Sequence, residues 1–255
     1  MKVRILGCSG GIGGRHLRTT SILVDHDILI DCGTGVGDLS IAELAQIDHV
    51  FLTHTHLDHI ACLPLMVDSV GDMRNRPLTV HATESTLEIL RAQVFNWAVW
   101  PDFTEIPSAE KPFLRYESIR MGGPVTINGR RIVPLPVCHS VPAVGYQLDS
   151  GRASLVYSGD TGPCPELWSA VNKINNLRTL IIETAFSDRE RHLATLSKHL
   201  CPSMLVEELA HLQRDAEIYI THLKPGQTEL TMQEIEDRIG ELKPRMLQNN
   251  QVFEL

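Results

Sequence analysis

The stretch Thr53-His54-Thr55-His56-Leu57-Asp58-His59 places three histidines and one aspartate within six consecutive positions. Imidazole and carboxylate side chains are the usual protein ligands of zinc, iron and manganese. The run follows Val50-Phe51-Leu52, an apolar stretch that reads as the end of a buried strand. His54 and His56 are two residues apart, so in extended backbone they point to the same side. Asp58 and His59 come after the chain has begun to turn and can address a second point. Later apolar runs also finish on ligand-type residues. His139 follows residues 131–137, Asp160 follows 154–157, Glu183 follows 179–182 and His222 follows 217–221. A sheet that gathers its strand ends along one edge would bring His54, His139, Asp160 and His222 together.

The elements needed to do this are short. Residues 3–6 read as a first strand, leading into the glycine-rich stretch 7–14. That stretch lacks the Gly-x-x-x-x-Gly-Lys-Ser/Thr spacing of a phosphate loop and reads equally as a flexible turn near the site. Residues 21–24 and 28–30 form a predicted hairpin turning at Asp25-His26-Asp27. Asp31-Cys32-Gly33-Thr34-Gly35 then breaks the strand. Residues 60–70 suit a helix packed on a sheet, with Pro64 near its start. Ser85-Thr86-Leu87-Glu88 resembles a capping box opening a helix that runs to about Phe95. Asn128-Gly129 marks a second hairpin turn, and helices are predicted over 204–212 and 232–239. His81, at a strand end, is expected in a hydrogen-bonded structural role. His16, His26, His49, His192 and His211 carry no motif.

Residues 96–112 differ in character. Trp97, Trp100 and Phe103 crowd together with Pro101, Pro107 and Pro112, in a chain with only 5% aromatic residues. One reading is a lid or pocket wall on which a flat base stacks, which makes Trp97, Trp100 and Phe103 candidate substrate-binding residues. The other is a subunit interface or a loop pinned by its own aromatics.

The chain has 255 residues, 43% of them hydrophobic, which suits a packed globular core and excludes a disordered chain. Neither an internal repeat nor a linker is apparent, so residues 1–255 are expected to form one domain. No apolar run approaches the ~20 residues of a membrane span, and the first residues lack a signal peptide's apolar stretch. The six cysteines contain no Cys-x-x-Cys pair and read as free thiols, so a cytoplasmic location is expected. Cys62 and Cys138 lie close in sequence to the ligand candidates. The formal net charge of −8 lacks the basic field of a dedicated nucleic-acid binder.

With these residues in view, the chain resembles the metallo-β-lactamase superfamily. The signature is His54-x-His56-x-Asp58-His59, followed in order by His139, by Asp160 within Ser-Gly-Asp-Thr, and by His222. The resemblance covers nearly the whole chain and implies an α/β fold, an αββα sandwich with a two-metal site at one edge. It implies that a first metal takes His54, His56 and His139, that a second takes Asp58, His59 and His222, and that Asp160 bridges them. Zinc is the first expectation for the two divalent ions, with iron and manganese as alternatives. Within the superfamily the chain is most similar to class II cyclic-nucleotide phosphodiesterases. His-Thr-His-Leu-Asp-His, Ile182-Glu183-Thr184-Ala185-Phe186 and Tyr219-Ile220-Thr221-His222-Leu223-Lys224-Pro225 look like their motifs.

The match is imperfect. Cys62-Leu63-Pro64-Leu65 is instead similar to the Gly-Leu-Pro stretch of tRNA 3′-end-processing endoribonucleases, and Glu183-Thr184-Ala185-Phe186 with His199 also resembles motifs of those nucleases. No long basic insertion resembling their tRNA-gripping arm is present, and the acidic balance disfavours a polyanionic partner. The implied activity is hydrolysis of 3′,5′-cyclic nucleotides by a two-metal activated water, with a small phosphodiester as the partner and a homodimer as the expected assembly. Asp58 is expected to orient the nucleophile. His199 is expected as proton donor or phosphate contact, oriented by Glu183. The alternatives are a tRNA 3′-end endoribonuclease, a lactone, thioester or lactam hydrolase on the same metals, and a non-enzymatic metal-binding protein.

Overall fold

The computed structural model describes residues 1–14 and 16–255. The first half of the chain supplies strands β1 (Lys2–Gly7), β2 (Ser21–Val24), β3 (Ile28–Ile30), β4 (His49–Phe51), β5 (Leu78–Ala82) and β6 (Leu114–Ser118). Between them run helices α1 (Ile41–Leu44), α2 (Leu57–Ile60), α3 (Cys62–Val70) and α4 (Glu84–Gln93). The second half supplies β7 (Val125–Ile127), β8 (Arg130–Pro136), β9 (Val144–Asp149), β10 (Ser154–Tyr157), β11 (Leu177–Glu183), β12 (Glu217–Thr221), β13 (Arg245–Met246) and β14 (Val252–Glu254). Its helices are α5 (Pro165–Val171), α6 (Arg191–Ser197), α7 (Pro202–Leu209) and α8 (Thr228–Ile239).

The strands form two seven-stranded sheets, ordered β14-β1-β2-β3-β4-β5-β6 and β13-β12-β11-β10-β9-β8-β7. Three apolar clusters account for the layering. Val3, Ile5, Ile22, Ile30 and Phe51 of the first sheet meet Ile132, Tyr146, Leu155 and Ile181 of the second, forming the core between the sheets. Leu29, Val50 and Val80, on the opposite face of the first sheet, pack with Leu63, Met66, Val67 and Leu87 from α3 and α4. Val156, Leu180, Ile182 and Ile220 pack with Trp168, Leu205 and Ile235 from α5, α7 and α8. The predicted αββα sandwich is therefore the observed one. It explains why every residue of β3, β5 and β10 is buried, since these strands are covered on both faces. Each such Leu, Ile or Val side chain contributes roughly 1.5–3 kcal/mol by leaving water.

Strand direction places the site. β3, β4, β5 and β6 are mutually parallel, as are β10, β11, β12 and β13. β8 is antiparallel to β9, which is antiparallel to β10, so β8 and β10 run the same way. The segments after β3, β4, β8, β10, β11 and β12 thus emerge along one edge, carrying Asp31, His54, His139, Asp160, Glu183 and His222.

Local expectations hold with specific shifts. The hairpin β2–β3 turns where expected, and Asn128-Gly129 turns β7 into β8 with both residues at positive φ, 49° and 82°. α4 begins earlier than the Ser85–Glu88 pattern predicts. Thr83 has the extended backbone of an N-cap and its hydroxyl accepts from the Thr86 amide at 3.4 Å, which places Ser85 inside the helix. The capping box that does form is Ser40 with Glu43, at the start of α1.

Candidate metal centre

Two groups of side chains converge on the shared edge. His54, His56, His139 and Asp160 present donor atoms all within 4.8 Å of one another, and so do Asp58, His59, Asp160 and His222. Asp160, 1% exposed, belongs to both. His56 is the N-cap of α2, so the helix starts inside the signature and turns Asp58 and His59 away from His54 and His56. His222 Nε2 lies 3.1 Å from Asp58 Oδ2 and 3.3 Å from Asp160 Oδ2, and His139 Nε2 lies 3.2 Å from His56 Nδ1.

The surrounding hydrogen bonds fix which ring nitrogens face inward. The Asp31 carboxylate accepts the His59 Nδ1 proton at 2.7 Å, which turns Nε2 toward the cluster. The Thr53 hydroxyl gives its one proton to Asp31 and accepts from His54 Nδ1 at 2.9 Å, leaving His54 Nε2 bare. His139 Nδ1 donates to the Lys198 carbonyl at 3.0 Å. Each pattern is the outer support that metal-ligating histidines require.

Charge states agree. Burial pushes the His54, His56 and His139 imidazoles down, so they are neutral. Burial alone would raise Asp160, but His222 and His59 beside it hold it well below the usual carboxylate range. Asp58 is likewise held down by His222 and His59 against the effect of burial. His59 is buried, yet the Asp160 and Asp31 carboxylates raise its pKa well above the usual value. A cation at His59 Nε2 would take the place of that proton.

The residues fit a metal on one further observation. His54 Nε2, His59 Nε2 and Asp160 Oδ1 are buried with no hydrogen-bond partner among the described residues. Three orphaned polar atoms at one point cost about 1–3 kcal/mol each if nothing binds there. A cation shared by the group removes that cost. Neither Cys62 nor Cys138 belongs to these two groups.

A second set of residues lies against the cluster. His199 is 7% exposed, and its ring centroid is 5.0 Å from that of His139 and 5.3 Å from that of His222. Glu183 accepts from His199 Nδ1 at 2.7 Å and also from the amides of Thr161 and Ala185, each at 3.0 Å. Burial lowers the His199 pKa, but the Glu183 carboxylate outweighs it and the net shift is upward. His199 is therefore part of the site edge, held there by one carboxylate that also ties the segment after β10 to the segment after β11.

The structure does not bring the three aromatics to this edge. α4 leaves the carboxyl end of β5 and runs back, so the segment after it returns at the amino ends of β5 and β6. There the Leu78 amide donates to the Phe113 carbonyl at 2.8 Å, and the Leu114 amide donates to the Phe103 carbonyl at 3.1 Å. The length of β5, about 13 Å at 3.3 Å per residue, separates that end from the histidines. Phe103 is buried with Phe95 in the helix-side core, Trp100 packs partly buried against it, and Trp97 is 61% exposed. Within one chain, Trp97, Trp100 and Phe103 do not flank the metal cluster. Of the two readings of this segment, the packing of Phe103 on Phe95 and of Trp100 on the same core accords with a loop pinned by its own aromatics.

His81 takes the expected structural role. Its Nε2 lies 3.0 Å from His49 Nδ1 and its ring stacks on Phe51 at 4.3 Å. Sequence reasoning missed Asp31 and Thr53 as supports. Asp31 did carry the signal, since it ends the apolar run of β3 as His54, Asp160 and His222 end theirs. Its positive φ of 58°, like the 63° of His222, marks a backbone bent to present a side chain. The glycine-rich stretch also gains a role: a Cβ on Gly10 would stand 2.9 Å from His222 Nδ1, so only glycine lets the loop close behind that ring.

Comparisons with known proteins agree with this geometry. Residues 26–238 match the family model described as beta-lactamase superfamily domain. The chain is 27% identical over 269 residues to a 3′,5′-cyclic-nucleotide phosphodiesterase of Aliivibrio fischeri, covering 86% of this chain and 80% of that protein. It is 26% identical over 160 residues to a ribonuclease Z of Methanopyrus kandleri, covering 59% of this chain and 50% of that protein. Among solved structures, unliganded yeast PDE1 superposes with a TM-score of 0.82 at 19% identity, covering 100% of this chain and 99% of that one, a likeness of fold.

Proposed function

The chain belongs to the metallo-β-lactamase superfamily, and from that premise we propose that it hydrolyses 3′,5′-cyclic nucleotides to nucleoside monophosphates with two divalent ions, zinc first among them. The observation that carries the reading is the buried Asp160 carboxylate, common to two complete donor groups. Two divalent ions so held supply an activated water and neutralise charge on the attacking and leaving oxygens of a phosphodiester. His54, His56 and His139 would hold one ion, Asp58, His59 and His222 the other, with Asp160 between them.

The remaining work falls to the chain's own residues. Asp58, with His222 Nε2 against its Oδ2, orients the attacking water. His199 donates a proton to the departing sugar oxygen, because Glu183 fixes its Nδ1 and leaves Nε2 to face the phosphoryl group. General acids of this kind contribute about 10²–10⁴-fold.

The phosphodiesterase relative supports this substrate over 86% of the chain. A second reading, endonucleolytic processing of tRNA 3′ ends, is favoured by the ribonuclease Z relatives, which match a shorter part of the chain. The net charge of −8 weighs against it, since polyanion affinity is built from cationic contacts. The test is a substrate panel of cyclic AMP, cyclic GMP, a pre-tRNA and a lactone with the metal-loaded protein. Cyclic nucleotides should be cleaved to the monophosphates, with pre-tRNA cut weakly or not at all. Efficient pre-tRNA processing with inert cyclic nucleotides would reverse the assignment.

A further inference from the structure

Outside the metal cluster, one pair of reactive side chains stands in contact. Cys138 Sγ and Cys164 Sγ are 2.8 Å apart, although the residues are 26 positions apart in sequence. Even carbon atoms rest about 3.5–4.0 Å apart when not bonded, and sulfur is larger. Reaching the ~2.05 Å of a disulfide requires an approach of only about 0.8 Å. Both backbones are already fixed. The Cys138 amide donates to Thr161 Oγ1 at 3.1 Å, and its carbonyl accepts from the Gly162 amide at 2.8 Å. Cys164 caps α5, and its amide donates to the buried Glu208 carboxylate at 3.0 Å. Closure therefore falls on side-chain rotation, with the main chain held in place on both sides.

We propose that Cys138 and Cys164 form a reversible disulfide under hydrogen peroxide, and that this bond staples the loop carrying His139 to the loop carrying Asp160. The inference goes beyond the proposed activity and does not depend on the substrate. Cys138 is partly exposed and Cys164 is buried, which assigns the steps. The Cys138 sulfur attacks peroxide, the O–O bond breaks, and a sulfenic acid and one water form. The Cys164 sulfur then displaces the sulfenic oxygen as a second water, and the S–S bond forms. The two thiols have lost two electrons and two protons to the peroxide. Glu166 Oε2, 3.7 Å from Cys164 Sγ, is placed to take the Cys164 proton as it leaves. Burial pushes the Cys164 thiol up to about 12, so it stays protonated and resists oxidation until its partner has reacted.

The staple closes a loop that contains all of β9 and β10, the stretch that joins the two ligand-bearing segments. By loop-closure entropy, a bridge of this span should raise the melting temperature by roughly 5–15 °C in a chain of this size. The experiment oxidises the full-length protein with hydrogen peroxide, maps peptides by mass spectrometry after alkylation, and follows melting with and without dithiothreitol. Cys8, Cys32, Cys62 and Cys201 are internal controls. The expected result is one linked peptide pair containing Cys138 and Cys164, a mass lower by two hydrogens, and a melting temperature that rises on oxidation and falls back on reduction. Neither Cys138→Ser nor Cys164→Ser should show the rise. If a serine variant fails to fold, the peptide map of the wild-type protein decides. Cys138 that stays alkylatable, becomes sulfinic acid, or pairs with another cysteine would overturn the proposal. A linked pair whose melting temperature is unchanged or lower would overturn the stapling.

Discussion

Replacing Asp31 by Asn is the sharpest perturbation the site offers, because it removes one charge and one acceptor with almost no change of shape. Asp31 is fully buried and accepts from the Thr53 amide at 2.8 Å, the Thr53 hydroxyl at 2.9 Å and His59 Nδ1 at 2.7 Å. Asparagine offers one acceptor oxygen where aspartate offers two. If that oxygen keeps Thr53, an N–H₂ group faces His59 Nδ1 and drives the proton to Nε2, the atom that points at Asp160. A protonated nitrogen cannot ligate. Loss of such an outer support typically costs 10–100-fold in metal affinity, or about 1.4–2.7 kcal/mol. The loss should fall on the group containing Asp58, His59 and His222. His54, His56 and His139 should keep their metal, since His139 draws its support from Lys198. Competition with a chromophoric chelator, read together with metal analysis, should find one tight and one weakened site per chain, with hydrolysis reduced in step. Two sites of unchanged affinity in a folded Asp31→Asn protein would refute the tautomer argument. Equal weakening of both would mean that Asp31 supports the loop as a whole.

Three further outcomes follow from the geometry. His199→Ala should leave metal content unchanged and cost about 10²–10⁴-fold in rate on cyclic nucleotides, yet affect a p-nitrophenyl phosphodiester far less because its leaving group needs little protonation; equal losses would make His199 a phosphate contact or a structural residue. Trp100→Ala should lower stability by about 2 kcal/mol, or roughly 4–8 °C in melting temperature, because Trp100 packs partly buried on the helix-side core, with KM for cyclic nucleotides unchanged; a raised KM at unchanged stability would restore a stacking role, supplied across a subunit contact. His81 is buried and neutral, its pKa pushed down to about 3 by burial and by His49. A folded pKa below the unfolded value of about 6.5 means that the unfolded chain takes up the proton first, so stability falls as pH drops below 6.5 and the penalty reaches about 2 kcal/mol near pH 5. His81→Asn should lack this component, so its stability should converge on that of the wild type between about pH 7 and pH 5; parallel curves would show that His81 is not the titrating group.

Much of the site was legible because strand ends are local. An apolar run followed by His, Asp or Glu marks both a buried strand and the point where it meets solvent, so His54, His139, Asp160 and His222 could be placed on one edge before any fold was known. The layering came from the resemblance to the superfamily and not from the strands themselves, since β5 carries Thr79 and His81 and is buried all the same. What was not legible depends on distances across the sheet. Nothing in the sequence tells that α4 carries Trp97 and Trp100 to the far end of β5, nor that Glu183, at the end of β11, binds His199 and the amides of Thr161 and Ala185 together. Asp31 was passed over because a single carboxylate before glycines reads as an ordinary turn. Its importance appears only when His59, 28 positions later, returns to it. The contact of Cys138 with Cys164 is of the same kind, made by two strand-end loops whose neighbourhood the sequence does not record.

The most direct test of the two-metal reading is a titration of the metal-free protein with zinc in which bound metal and hydrolysis of cyclic AMP are measured on the same samples. Binding should saturate at about two ions per chain, with the monophosphate product appearing only as the second ion binds. Asp160→Ala should be inactive at every zinc concentration. Full hydrolysis at one ion per chain, or by the metal-free protein, would contradict it.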